Sequence, residues 1–188
     1  LTVVNTSDGG VQRFRIETGE RRYWATWLLK DFVPGYQGNG MIPCIVIPGE
    51  KESPFRQAKE NTTRSGLNAV AMARQIALLL LYVHDVEMPS GPVSMDFYRQ
   101  ALDLDLRGKR EYTEAVYAAL GGISKQKFAK YKSLLRLSNE ALGTADRHDI
   151  DLWKLWQITS LKTPEDQAEM LQQIIQLGLT VKQIRDLI

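Results

Sequence analysis

The sequence predicts an α+β chain: a small N-terminal α+β module over residues 1–66, then an all-α module over residues 67–188 with a helix-turn-helix near 112–137. Three observations carry that expectation. Strand signals are confined to residues 1–50. From Ser53 onward helical periodicity runs almost without interruption to the C-terminus. Positive charge is concentrated inside the helical part: from Arg107 to Arg136 eight basic residues stand against Glu111 and Glu114, a local net of +6, which leaves −4 for the rest of a chain whose net charge is +2. With 188 residues, 44% of them hydrophobic, the chain can bury a core as one domain or as two small ones.

Leu1 to Val4 reads as a strand, Ser7-Asp8-Gly9-Gly10 as a turn, and Val11 to Ile16 as the returning strand of a hairpin. After Thr18-Gly19, Glu20 to Lys30 has the composition of a helix, and Pro34, Gly35, Gly38 and Gly40 break it before the apolar strand Met41 to Ile47. The apolar run Ile76 to Val83 falls far short of the ~18–20 residues of a membrane span and reads as a buried helix. Residues 86–97, with Met88-Pro89-Ser90-Gly91-Pro92, read as a loop. Near the end Thr163 caps a helix with Pro164 at its first position and Glu165 and Asp166 on the positive end of its dipole; it stops at Gly178. Thr180 starts a last helix with Val181, Ile184 and Ile188 on one face.

Trp24 and Trp27, like Trp153 and Trp156, have i, i+3 spacing on helices and are expected to pack in the core. Cys44 is expected in the core of a strand. As the single cysteine it excludes a disulfide framework within the chain and a cysteine metal cluster, and it fits a reducing cytoplasm. The opening residues lack the basic start and extended apolar stretch of a signal peptide. His84 and His148 are isolated, and neither is assigned a ligand role.

Within the basic segment, Tyr112 to Leu120 is a short helix ending at Gly121-Gly122, and Ser124 caps a second helix running to about Leu137. Helix, glycine turn and helix form the local grammar of a helix-turn-helix. Phe128, Tyr131 and Leu135 define an inward stripe, leaving Gln126, Ala129, Lys130 and Ser133 outward with Lys125 and Arg136 at the flank. Lys125, Gln126 and Lys130 are expected to reach base edges, and Lys127, Lys132, Arg107, Lys109 and Arg110 to hold phosphates. An ordinary αα-hairpin with a solvated basic face is the alternative.

Two polar clusters carry the other chemistry. In Gly19-Glu20-Arg21-Arg22-Tyr23-Trp24-Ala25 a glycine follows a strand and opens a helix. The first-turn N–H groups and two guanidinium forks favour an anion, although arginines paired with surface carboxylates are the commoner meaning. In Glu60-Asn61-Thr62-Thr63-Arg64, Arg64 can meet phosphate, Asn61 offers an amide oxygen to a hard cation, and Glu60 can orient water. The plainer reading makes Glu60 and Asn61 caps of a helix N-terminus.

Together the two clusters resemble the ParB family, whose nucleotide-binding motifs read Gly-Glu-Arg-Arg-x-x-Ala and Glu-Asn-x-x-Arg at a similar separation. The resemblance extends over roughly residues 10–188: Leu67 follows Arg64 by three, and Tyr112 to Gly121 and Ile123 to Leu137 resemble the family's two recognition-unit helices. It implies CTP binding with magnesium, slow CTP hydrolysis, and loading as a dimeric clamp onto a centromere-like DNA site, with a partitioning ATPase as partner and a nucleoid- or plasmid-associated place in the cytoplasm. It also implies roles: Gly19, Glu20, Arg21 and Arg22 around the phosphates, Arg64 on phosphate, Asn61 on the metal and Glu60 assisting hydrolysis. Family members carry a Gln-Pro-Arg box earlier and a dimerisation domain later, so this sequence is expected to be the core of a longer protein. Ala71 replaces a common acidic residue, and residues 85–106 look like an insertion. Two other readings stand beside it, a DNA-binding regulator without nucleotide activity and, last, a ParB-like nuclease. The nuclease ranks last because the sequence shows no dense carboxylate set of the kind two-metal chemistry uses.

Overall fold

The structure, a computed structural model, describes residues 1–6, 11–47, 54–64, 66–89 and 93–188, with Arg64 through its backbone alone. The expected turn at 7–10, the shift in pattern at Ser53 and Ser90-Gly91-Pro92 lie outside the described residues. The chain divides into two compact units, residues 1–53 and 54–188.

In the first unit β1 (Thr2–Asn5) is the middle strand, antiparallel to β2 (Phe14–Thr18) and parallel to β3 (Ile45–Ile47). Val3 faces Ile16 on one side and Val46 on the other, and Val3 and Val4 are buried. The second strand begins later than Val11, and β3 keeps only the end of the apolar run expected from Met41. Helix α1 (Glu20–Phe32) follows directly on Gly19. No residue of α1 is buried, so Trp24 and Trp27 do not pack in a core as expected. Their spacing does place them on one face, but the rings meet one another: Tyr23, Trp24, Trp27 and Phe32 form a chain of edge-to-face contacts with centroids 5.3–5.8 Å apart. Cys44 is exposed too, because it lies just before β3 starts.

The second unit is built around α3 (Ala69–Val83), whose mainly apolar sequence leaves eleven of its fifteen residues buried. A helix apolar on all sides needs neighbours on all sides. These are α2 (Pro54–Arg64), α4 (Met95–Arg99), α6 (Lys125–Ser133) and α7 (Asn139–Arg147). Helices α5 (Arg110–Ala119), α8 (Leu152–Ile158), α9 (Pro164–Leu177) and α10 (Val181–Leu187) complete the unit. Its α2 is where the sequence reading ends the first module, yet Ala58 on α2 is fully buried in the helical core. Asn68 caps α3 by accepting from the Ala71 amide at 2.8 Å and donates to Asp146 on α7 at 2.7 Å, while Arg74 pairs with the same carboxylate at 3.0 Å. The C-terminal reading holds in detail: Thr163 caps α9 with Pro164 behind it, Gly178 ends it at φ 64°, and Thr180 forms a capping box with Gln183. Residues 86–97 are not one loop. Ser94 accepts from the Phe97 amide, Asp96 lies in the first turn, and α4 forms, followed by a 3-10 turn at Gln100–Asp103.

Candidate nucleic-acid interface

Arg110 to Ala119 forms α5, and the chain then turns through Gly121 and Gly122, both at positive φ (74° and 72°), into α6. Two successive left-handed residues reverse the chain sharply, which only glycine tolerates at low cost. Ser124 starts α6 by accepting from the Lys127 amide at 3.3 Å. The helix is shorter than the sequence suggests: after Ser133 a 3-10 turn, Leu134–Arg136, closes it. Phe128 and Leu135 are buried and Tyr131 is half-buried, as the stripe predicts. Phe128 packs on Tyr117 of α5 with centroids 5.3 Å apart. Burial raises the pKa of both Tyr117 and Tyr131.

The structure sorts the expected DNA contacts into two groups. Lys125, Gln126, Lys127, Ala129 and Arg136 are exposed. Lys132 points the other way. Its ammonium donates to the carbonyls of Leu102 at 3.0 Å and Leu104 at 2.6 Å, capping the 3-10 turn before α5. Burial holds its pKa below the usual lysine range, against an opposing pull from Asp105 and Asp103. Ser133 is half-buried and donates back to the Lys130 carbonyl at 2.7 Å. Lys130 lies over the indoles of α8, 2.8 Å from the Trp156 centroid and 4.7 Å from that of Trp153. Desolvation, with repulsion from Arg185, lowers its pKa. Both tryptophans are exposed, so their i, i+3 spacing marks a cation-binding face and not the core expected for them.

Arg107, Arg110 and Lys125 line a groove of about 530 Å³ between α6 and the segment that runs into α5, with Tyr117, Phe128 and Lys132 also in its lining. Arg107 is largely exposed beside Asp105, 3.4 Å away, and Lys109 precedes α5. One residue of this region escaped the sequence reading. Arg99 of α4 donates to the carbonyls of Leu135 at 3.2 Å and Leu137 at 2.9 Å and to Asn139 at 2.6 Å, and pairs with Asp96 at 2.7 Å. It holds the C-terminal end of the α6 region, where the last carbonyls lack helical partners. The only hint in the sequence is the capping pattern Ser94-x-Asp96 within an apparent loop.

Residues 104–188 match the family model for the ParB HTH domain. Over those residues the chain carries a ParB-type helix-turn-helix domain. No curated protein matches the chain. The ParB domain starts at Leu104 and takes in α5 to α10, so the two lysine ties of α6 lie within it apart from the Leu102 carbonyl, while Arg99 lies just outside.

The two phosphate-type motifs fall in different units of the chain, and each is described within its own. Gly19 is the N-cap of α1 at φ 90°, with no side-chain cap on the helix. A Cβ there would stand 2.8 Å from Leu1 and 3.1 Å from the Arg22 guanidinium. Arg21 and Arg22 are exposed in the first turn, and Glu20 accepts from the Trp24 indole at 3.2 Å. Beside them a cavity of about 720 Å³ is lined by Arg15, Glu20, Tyr23, Trp24 and the strand residues Val3 and Ile16. Glu60, Asn61 and Arg64 lie in the last two turns of α2, so none of them caps a helix start as the plainer reading had it. Asn61 donates through Nδ2 to Gln75 at 3.3 Å, which leaves Oδ1 as its acceptor. The side chain of Arg64 lies outside the described residues. Among the described residues no group of three or more His, Cys, Asp or Glu could hold a metal ion, and no helix is long and apolar enough to cross a membrane.

Proposed function

We propose that this ParB-family protein binds a specific centromere-like duplex site through α6 and works as a CTP-dependent clamp in DNA partitioning, as a homodimer with a partitioning ATPase as partner. The observation that carries the DNA part is a Ser124-capped helix that exposes Lys125, Gln126 and Ala129 inside a ParB HTH domain. Lys125 and Gln126 lie at the N-terminal end that enters the major groove, and Arg107, Arg110, Lys127 and Arg136 flank it for phosphates. Selection from a random duplex pool should return one consensus. Gln126→Ala should relax it at a single base position, at a cost of about 1–3 kcal/mol. A pool without enrichment removes the DNA part.

What supports the nucleotide part is the uncapped start of α1 with Arg21 and Arg22 in its first turn, next to a concave face carrying Tyr23 and Trp24. The residues present fit magnesium CTP in kind: guanidinium groups for the phosphates, aromatic surface for a base, and an amide oxygen for a hard cation. With no cluster of carboxylates among the described residues, most ligands of the cation would be phosphate and water oxygens. When bound, CTP would supply the phosphate charge and the bond whose slow hydrolysis would reset the clamp. Arg21, Arg22 and Arg64 would hold phosphate oxygens, Asn61 would offer Oδ1 to the magnesium, and Glu60 would orient the water and accept its proton. Radiolabelled CTP should bind in magnesium, resist competition by ATP, GTP and UTP, and be lost in Arg64→Ala. Normal affinity in that variant overturns the assignment.

A DNA-binding regulator without nucleotide activity is the second reading, resting on the helix-turn-helix domain at residues 104–188 alone. It predicts no effect of CTP on DNA association.

A further inference from the structure

Lys130 leaves α6 near the outward residues Gln126 and Ala129, yet its ammonium does not continue outward. It is held over two indole faces one helical turn apart on α8, and among the described residues no carboxylate pairs with it. Trp153 and Trp156 are 43% and 37% exposed, while Leu152, Leu155 and Ile158 supply the buried face of α8. Burial therefore does not explain where the two indoles stand, whereas the lysine they embrace does. An ammonium has three donors and no acceptor, and the negative faces of two rings suit it. On the opposite flank of α6, Lys132 is bound to the carbonyls of Leu102 and Leu104. The helix is thus tied on both sides by lysines.

We propose that Lys130 is a positioning residue: its ammonium, held by Trp153 and Trp156, ties α6 to α8 and sets how Lys125, Gln126 and Ala129 are presented, without itself touching DNA. The inference rests on the DNA-binding reading above. A side chain that must leave two rings to reach a groove forfeits the attraction that places it, and nearby Arg185 on α10 leaves the rings as its favourable partner.

The test uses the whole chain with Lys130→Met, Lys130→Arg, Trp156→Leu and the Met/Leu double variant. In the wild-type NMR spectrum the ε-methylene protons of Lys130 should be displaced upfield by the ring currents and should return to the ordinary lysine position in Trp156→Leu. In urea, Lys130→Met and Trp156→Leu should lower the midpoint alike, the double variant no further than Trp156→Leu alone, and Lys130→Arg should restore it. On a fluorescein-labelled duplex of random sequence, Lys130→Met should keep the wild-type slope of log affinity against log salt. An ordinary ε-methylene position, or a slope reduced by about 0.9 with an unchanged urea midpoint, overturns the proposal, since that is the signature of one lost phosphate contact. A wild-type chain that holds no duplex removes the DNA reading, and the shift and the urea series then decide the tie by themselves.

Discussion

A lysine on a recognition helix has two physical fates, and the neighbouring elements choose between them. Lys125 and Lys127 stay in solvent, where an ammonium retains its hydration. Lys132 finds two backbone carbonyls and is partly desolvated. Lys132→Met should therefore act on stability: the freed carbonyls of Leu102 and Leu104 lose a charged donor, worth about 1–3 kcal/mol in a urea titration. Its salt slope on DNA should match the wild type, and a shallower slope would return Lys132 to the phosphate contacts. Sequence periodicity places residues on faces of a helix and cannot say what stands opposite each face. That is why Gln126, Phe128 and Leu135 were legible while Lys130 and Lys132 were assigned to DNA. Arg99 was invisible for a related reason, since its partners are mainly backbone carbonyls, which leave no trace in a sequence.

At the scale of the element, caps and turns were the most readable features, because their chemistry is local. Ser124, Thr163 and Thr180 cap where the sequence places them, and Gly178 ends its helix in the left-handed region. Ser124→Ala should cost about 1 kcal/mol of stability, measured by thermal melting, because one first-turn amide loses its acceptor. The glycine pair allows a sharper comparison. Gly121→Ala and Gly122→Ala bear the same strain of about 1–2 kcal/mol at positive φ. Only the first also brings a Cβ to 3.1 Å from the Thr62 methyl on α2, while nothing lies within 4 Å of the second. The Gly121 variant should melt lower than the Gly122 variant, and equal melting points would mean that Thr62 yields freely. What local chemistry did not disclose was α4, whose capping signal lies among prolines and glycines that argue for a loop.

For the molecule as a whole, the two units differ in how they are held. The continuous apolar core runs from Ala58 to Ile184, entirely within the second unit, whereas in the first Val3 and Val4 are the buried apolar side chains among the described residues. A protein of residues 54–188 should unfold in one cooperative thermal transition and keep the salt-dependent DNA binding of the full chain, while CTP binding should disappear. A broad, non-cooperative melt would show that the second unit needs the first. Ala58, fully buried, shows why the helix from Pro54 goes with the helical core. The clasp that Arg99 places on the carbonyls of Leu135 and Leu137 has a practical corollary for anyone transplanting DNA specificity. A graft cut at the ends of the helix-turn-helix would carry the exposed face of α6 without the clasp on its C-terminal end. A cassette that keeps this clasp and the cap of its helix starts at or before Ser94, upstream of the matched residues 104–188.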